Sequence, residues 1–434
     1  MDRTFLETIL YGEKYVPEQK NKVISGSSVY TMSDMHGDYL GLYSGMAQVA
    51  KDNAVLAYNG DWVNDYQYEE FAHNYIGTSS QEIISNYFKS KLTADELKLF
   101  GYVQARAQMG YDALREQAKV QKQERGIDEL EAKSKDKKFQ VKLQSVIKNL
   151  ETEKGKELNM VRGMELLVYD SMMDAYAKQF AQGMNKYGVT VLFNRGNHED
   201  AMFVQRIQKY LDADKKKNII DMNTQRGYVI VKDTNGSEIS IAGVTNSVQM
   251  MPYVQALFSE DAESYYAHMI PHGKDGMIQG DLNQYASQLK SLDLFGKNKD
   301  GFVSEYERIK KGNEKKSLDV LLSHGQVGNT KYDEKRHAYP TPYTASSAKL
   351  ALDAKLRVEG HIHKSLFEKN VVRPTRADGV KITKENNEIK YERVQYQLMN
   401  NGKYDEHTFF PIKSELEKRI EELLEKLKSQ KKAA

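Results

Sequence analysis

Val29-Tyr-Thr-Met-Ser-Asp34-Met-His36-Gly-Asp38 passes from an apolar, β-branched run into a cluster of metal-type ligands within ten residues. The run has strand length, and the polar cluster marks its end. Side chains alternate along an extended chain, so Asp34 and His36 project to the same side. Four further runs end in the same way. Ala54 to Asn59 leads into Gly60-Asp61-Trp-Val-Asn64-Asp65, and Val189 to Asn194 leads into Arg195-Gly-Asn197-His198-Glu199. Leu318 to Ser323 leads into His324-Gly325, and Leu356 to Glu359 into Gly360-His361-Ile-His363. Five of the ten histidines fall in these clusters, so the series carries a signal that no single His would. Strand ends in an α/β fold are where loops converge on a site.

Carboxylates and imidazoles without thiolate suit Mn, Fe or Zn, and one Asp can bridge two ions about 3.5–4 Å apart. The chain of 434 residues has no Cys, which excludes disulfides, Fe–S clusters, thiolate zinc sites and cysteine nucleophiles. With 63 Lys and Arg against 61 Asp and Glu, the net charge of +2 gives no global attraction to nucleic acid. No run of about 18 apolar residues suggests a membrane span. The first fifteen residues lack the apolar core and small-residue cleavage site of a signal peptide.

Between the second and third clusters the texture changes. Residues 78–186 are rich in Lys, Glu, Gln, Ala and Met, and no Pro occurs between Pro17 and Pro252. Phe139, Leu143, Val146, Ile147 and Leu150 follow helical spacing, and Met160, Val161, Met164, Leu167 and Val168 resume it. The polar segment Lys133 to Lys138 is positioned to turn the chain into a long helical hairpin. Tyr228 to Lys232 and Glu238 to Ala242 read as a strand pair around an Asn-Gly turn, and Arg393 to Met399 as a late strand. A third helical zone is expected between Pro252 and Lys316. Leu416, Ile420, Leu423 and Leu427 form a short seam on a C-terminal helix, which packs on its own domain or dimerises.

The ordered set Asp34-x-His36, Gly60-Asp61, Gly196-Asn-His-Glu199, His324 and Gly360-His-x-His363 resembles the calcineurin-like metallophosphoesterases, and its first three members resemble the phosphoprotein phosphatase branch. The resemblance implies a four-layer α/β/β/α sandwich with a dinuclear site at one edge. It implies one ion held by Asp34, His36, bridging Asp61 and His363, and a second held by Asp61, Asn197, His324 and His361. Mn is the expected metal, with Fe or Zn as alternatives. His198 is then the general acid and Arg195 contacts phosphate, while a metal-activated hydroxide attacks phosphorus in line.

Two departures qualify this pattern. The branch's Gly-Asp-x-Val-Asp-Arg-Gly becomes Gly60-Asp-Trp-Val-Asn64-Asp65-Tyr66, so a phosphate-gripping Arg is replaced, and either Asp65 takes over the contact with His198 or the acid is oriented differently. Lys364, Lys331 and Arg336 are candidate replacement cations. The 136 residues from Asp61 to Asn197 far exceed what the branch needs, so 78–186 reads as an insertion. An insertion there resembles the Wip family of bacterial effector phosphatases, which implies secretion into a host cytoplasm and a phosphotyrosine protein as substrate. The expected organisation is an N-terminal extension (1–26), a catalytic core (27–77 and 187–411), the hairpin insertion (78–186) and a C-terminal helix (412–434). The hairpin is a solvated cover or a docking arm for a protein partner. Tyr332, Tyr339 and Tyr343, in the loop after His324, pack locally or line a phosphotyrosine pocket. A phosphodiesterase, nuclease or dinucleoside polyphosphatase of the same superfamily, and a non-catalytic scaffold, are the rival readings.

Overall fold

The structure, a computed structural model, describes residues 21–63, 73–109, 124–196, 198–199, 202–244, 316–325, 353–361, 363–376 and 378–397, together with 309–310, 313, 418, 421–422 and 425. The chain divides into two compact units. One comprises Met1–Asp65, Ser171–Met250 and Leu292–Lys418, and the other Tyr66–Asp170, Met251–Ser291 and Arg419–Ala434.

The first unit is mixed α/β. Its strands in chain order are β1 (Lys22–Ser25), β2 (Val29–Met32), β3 (Val55–Asn59), β4 (Thr190–Asn194), β5 (Ile219–Asp221), β6 (Val229–Lys232), β7 (Glu238–Val244), β8 (Leu318–Ser323), β9 (Ala354–Glu359), β10 (Leu366–Glu368), β11 (Val371–Arg373), β12 (Asp378–Glu385) and β13 (Glu388–Gln395). They form a six-stranded sheet ordered β13-β12-β2-β3-β4-β5 and a seven-stranded sheet ordered β1-β6-β7-β8-β9-β11-β10. Within the first sheet β2, β3, β4 and β5 are parallel, and β12 runs antiparallel to both β2 and β13. Within the second, β7, β8, β9 and β11 are parallel, with antiparallel pairs β6/β7 and β10/β11. Both sheets are therefore mixed.

β2, β3 and β8 are buried at every residue, which accounts for their near-continuous apolar runs. One apolar cluster takes Val29, Val55, Leu192, Ile220 and Val380 from the first sheet and Val231, Ile241, Val320, Leu356 and Val358 from the second. The sheets thus share a single core. The hairpin at Asp233 is as its sequence suggests. The Asp233 carboxylate accepts from the amides of Asn235 and Ser237, and Gly236 adopts a φ of 83°. The late strand begins at Glu388, earlier than Arg393, because its pairing with β12 reaches back to Glu385↔Glu388.

Six α-helices are described: α1 (Tyr39–Lys51), α2 (Ser80–Lys91), α3 (Ala94–Met109), α4 (Glu124–Ser134), α5 (Lys137–Tyr187) and α6 (Phe203–Tyr210). Asp38 caps α1, its side chain accepting from Gly41 N, and Leu42, Met46 and Val49 form the buried face. The boundary between units falls inside α5. Its last turns lie in the sandwich unit, where Phe180 meets Tyr58 at 5.2 Å and Phe193 at 5.3 Å between ring centroids. Burying a side chain of this size contributes roughly 2–3 kcal/mol. Gly188, at φ 67°, ends α5 by donating its amide to Met184 O, and the chain enters β4.

The second unit is helical among its described residues. Phe88, Phe100, Leu143, Leu150 and Val161 belong to its apolar core. Thr93-Ala-Asp-Glu96 is a capping box, with Glu96 N donating to Thr93 Oγ1 and Thr93 N to Glu96 Oε2. The chain turns between α4 and α5 at Lys135 and Asp136, inside the polar segment Lys133 to Lys138. Both apolar stripes beyond it belong to the single 51-residue α5. Most of the zone from 252 to 316, the loop with Lys331, Arg336, Tyr332, Tyr339 and Tyr343, and the seam residues Leu416, Ile420, Leu423 and Leu427 lie outside the described residues. Among the described residues no helix is long and apolar enough to cross a membrane.

Candidate metal centre

Five parallel strands deliver the ligand-type residues. The registers Met32↔Tyr58, Asn59↔Asn194 and Ser323↔Glu359 bring the C-terminal ends of neighbouring strands level within each sheet. The two edges are tied to each other by Asn59, whose Nδ2 donates to Ser323 O at 3.0 Å and to Val358 O at 3.2 Å. The residues just past the strand ends therefore share one small volume.

The backbone there is held in an unusual conformation. Asp34, His36, Asp61 and His361 have φ of 55°, 43°, 57° and 66°, the left-handed region that costs a non-glycine residue of order 1–3 kcal/mol. Specific bonds sustain it. Asp34 N donates to Gly60 O, His36 N to Asp61 O, and His361 N to the Asp34 carboxylate at 2.8 Å. Glu199, buried, accepts from four amides: Asp61, Trp62, Val63 and Gly196, at 2.6–3.1 Å. Gly196 is required by space, since a Cβ would stand 2.1 Å from Asp61 Oδ1.

Three groups could each hold a metal ion: Asp34, His36 and His363; Asp61, His324 and His361; and His36, Asp61 and His198. Within each, the ligand atoms lie within 4.8 Å of one another. The groups overlap through His36 and Asp61. His36 Nε2 stands 3.1 Å from His363 Nε2, and His363 Nε2 stands 3.5 Å from Asp34 Oδ1. His324 Nε2 lies 2.9 Å from Asp61 Oδ2, yet this buried nitrogen makes no aligned hydrogen bond. Its other nitrogen, Nδ1, pairs with Asn59 O at 2.7 Å, which turns Nε2 towards Asp61. His36 and His363 share one hydrogen bond and His324 faces the Asp61 carboxylate, and the same nitrogens lie close enough to one another and to the carboxylates to ligate a cation in place of those protons. The donor set is oxygen and nitrogen only, which suits Mn, Fe or Zn.

The electrostatics divide these groups, leaving His36 and His361 neutral while the Asp61 carboxylate favours a proton on His324 that a cation would have to displace. Burial, reinforced by the neighbouring His198, lowers the pKa of His36 to about 3, and burial with His324 lowers that of His361 to about 4. Both rings are thus neutral, with lone pairs to offer, at neutral pH. Burial works against ionisation of Asp61, but His198 and His324 outweigh it and hold the carboxyl well below its ordinary range. Burial likewise opposes charge on His324, and the Asp61 carboxylate overcomes it, pushing the imidazole up to about 9. Glu199 is raised to about 6 by burial and by Asp61, against the pull of its amide donors.

Of the residues singled out in the sequence, Asp34, His36, Asp61, His324, His361 and His363 come together here, with His198 Nε2 3.6 Å from Asp61 Oδ2. Arg195 is half-buried at the end of β4, and its amide and Nε both donate to Asn223 Oδ1. Lys364 is exposed beside His363. Asn197, Asn64 and Asp65 lie outside the described residues. The sequence reading assigns no role to Glu199, Asn59, Asn194 or Asn223. A signal for the asparagines exists in the sequence: each follows a strand's apolar run, where a buried amide needs a partner.

No family model matches this chain, and no curated protein matches it. A solved structure is similar at 11% identity, over 86% of this chain and 99% of the other, with a TM-score of 0.35, a likeness that carries no argument about fold or function.

Proposed function

We propose that this protein is a dinuclear metal-dependent phosphatase that hydrolyses phosphomonoesters on proteins, with phosphotyrosine as the expected substrate and Mn as the expected metal. The fold is then the four-layer metallophosphoesterase sandwich, with the helical segment inserted between β3 and β4. The observation that carries this reading is the convergence of Asp34, His36, Asp61, His324, His361 and His363 into overlapping groups that share Asp61 and His36.

Two divalent ions held by these residues would supply an activated water and neutralise charge developing on the phosphoryl oxygens. The residues have distinct tasks around them. Asp61, in contact range of both His324 and His198, is placed to serve both ions. Glu199 holds the Asp61 and Gly196 backbones together, which ties the Asp61 carboxylate to the loop that carries His198. His198 is the candidate proton donor to the leaving oxygen, and its amide, bonded to Asp61 Oδ1 at 3.3 Å, fixes its backbone against the Asp61 carboxylate. Arg195 is the candidate phosphate contact. The helical unit has no candidate metal group among its described residues, which suits a covering or docking role.

The test compares phosphotyrosine, phosphoserine and bis-nitrophenyl phosphate with and without added Mn, beside Asp61→Asn. Selective, Mn-dependent release from phosphotyrosine that Asp61→Asn abolishes is the expected result. Preference for the diester would place the protein among phosphodiesterases or nucleases, and Mn binding without turnover would make it a scaffold.

A further inference from the structure

Beneath the candidate ligands runs a chain of buried amides. Asn223 Nδ2 donates to Asn194 Oδ1 at 2.7 Å, Asn194 Nδ2 to Asn59 Oδ1 at 2.8 Å, and Asn59 Nδ2 to Ser323 O and Val358 O. Asn59 and Asn194 are fully buried and Asn223 nearly so. The direction of the chain is set from both ends. At one end Arg195 N and Nε can only donate, so Asn223 Oδ1 must accept, at 2.8 and 3.1 Å. At the other end two backbone carbonyls can only accept, so the last amide must present its nitrogen. Each intermediate amide then has one orientation, and flipping any of them sets donor against donor. Gly243 makes room for it, since a Cβ there would stand 2.8 Å from Asn194 Oδ1 and 2.5 Å from Met222 Cβ.

We infer that Asn223 and Asn194 are positioning residues that fix the guanidinium plane of Arg195 for phosphate, referenced through Asn59 to the strand ends that carry His324 and His361. The inference rests on the phosphatase reading. Two bonds from one arginine, one main-chain and one side-chain, to a single oxygen leave the guanidinium little rotational freedom. Asn59 adds the second reference point, because its own carbonyl accepts from His324 Nδ1. A buried network with one hydrogen-bonding solution defines geometry more tightly than apolar packing would.

The experiment measures Mn affinity and inorganic phosphate affinity by titration calorimetry, the latter on Mn-loaded protein, with kcat and KM alongside. Asn223→Ala is expected to weaken phosphate binding and raise KM roughly tenfold while leaving Mn affinity within about twofold. Asn223→Asp keeps an acceptor for Arg195 but sets a carboxylate oxygen against Asn194 Oδ1, so it is expected to recover only part of that loss, and full recovery would overturn the part assigned to Asn194. Arg195→Ala with Asn223→Ala should be no worse than Arg195→Ala alone, because the amide acts only through the arginine. Additive losses, an equal fall in Mn affinity, or unchanged phosphate binding in Asn223→Ala would overturn the inference while wild-type turnover left the phosphatase reading standing. A wild-type protein that neither turns over substrate nor binds phosphate with Mn overturns both. Should Asn223→Ala fail to fold, Asn194→Asp breaks the same chain one link further back and is expected to show the same separation of phosphate from Mn affinity.

Discussion

The sandwich unit and the helical unit bury polar groups for different ends. In the sandwich unit the buried carboxylates and imidazoles gather at one edge, share partners and hold the backbone in left-handed conformations at four of the candidate ligands. In the helical unit Glu165 accepts from Ser80 N and Ser80 Oγ, and Tyr102 donates to Glu131 at 2.6 Å. These bonds satisfy groups at or between helices, and among the described residues of this unit no residue other than glycine adopts a left-handed conformation. The difference teaches that a buried polar group signals chemistry when it is crowded by its like and sustained against strain. A buried polar group that simply meets its partner signals architecture.

That contrast can be broken in four ways. The largest effect is expected from Asp61→Asn, which removes the carboxylate shared by two candidate metal groups and should lower turnover by roughly a thousandfold, with some loss of thermal stability because His198 and His324 lose their buried partner. Next comes Leu150→Ala in the helical core, where a fully buried side chain is deleted. It should cost about 2–5 kcal/mol of stability in chemical denaturation, while turnover per folded molecule stays within twofold. If Leu150→Ala instead abolished Mn affinity, the division of labour between the units would be wrong.

A smaller effect concerns the sandwich away from its site. Burial opposes ionisation of Asp319, but Lys384, the Ser240 amide and Lys355 prevail and hold its carboxyl below the ordinary 3.8. A depressed folded-state pKa adds stability above the unfolded value, and that stability is lost as pH falls through the folded one. Asp319→Asn should therefore destabilise at pH 7 and flatten the acid limb of a stability profile below about pH 4, a change that unfolding measured across pH 2–7 would reveal. The smallest effect is expected from Lys91→Ala. Its pair with Glu153 at 2.9 Å lies on the surface of the helical unit, and melting should not resolve its loss.

Much of this was legible in the sequence, for identifiable reasons. Runs such as Leu318 to Ser323 announce strands because both faces are buried, and the α5 stripes announce a helix because one face is. The ligand series is legible because each member immediately succeeds a strand, and parallel strands level their ends. The short strands β1, β5, β10 and β11 are hidden because three or four residues carry no periodicity, and their pairing comes from neighbours distant in the chain. The role of Glu199 is hidden for a related reason. A carboxylate that binds four amides and one that binds a metal have the same letter.

The residue chemistry is written along the chain: oxygen and nitrogen ligands without sulfur, strand ends that bear them in order, and a long helical segment between the second and third. Which of these groups share a volume, and which brace the others, follows from the folded arrangement. Asp34 and His361 are 327 residues apart yet joined by a 2.8 Å hydrogen bond, and Asn59 reaches Ser323 across 264. Such contacts come from the packing of two sheets over a common core, a long-range solution that local propensity does not encode.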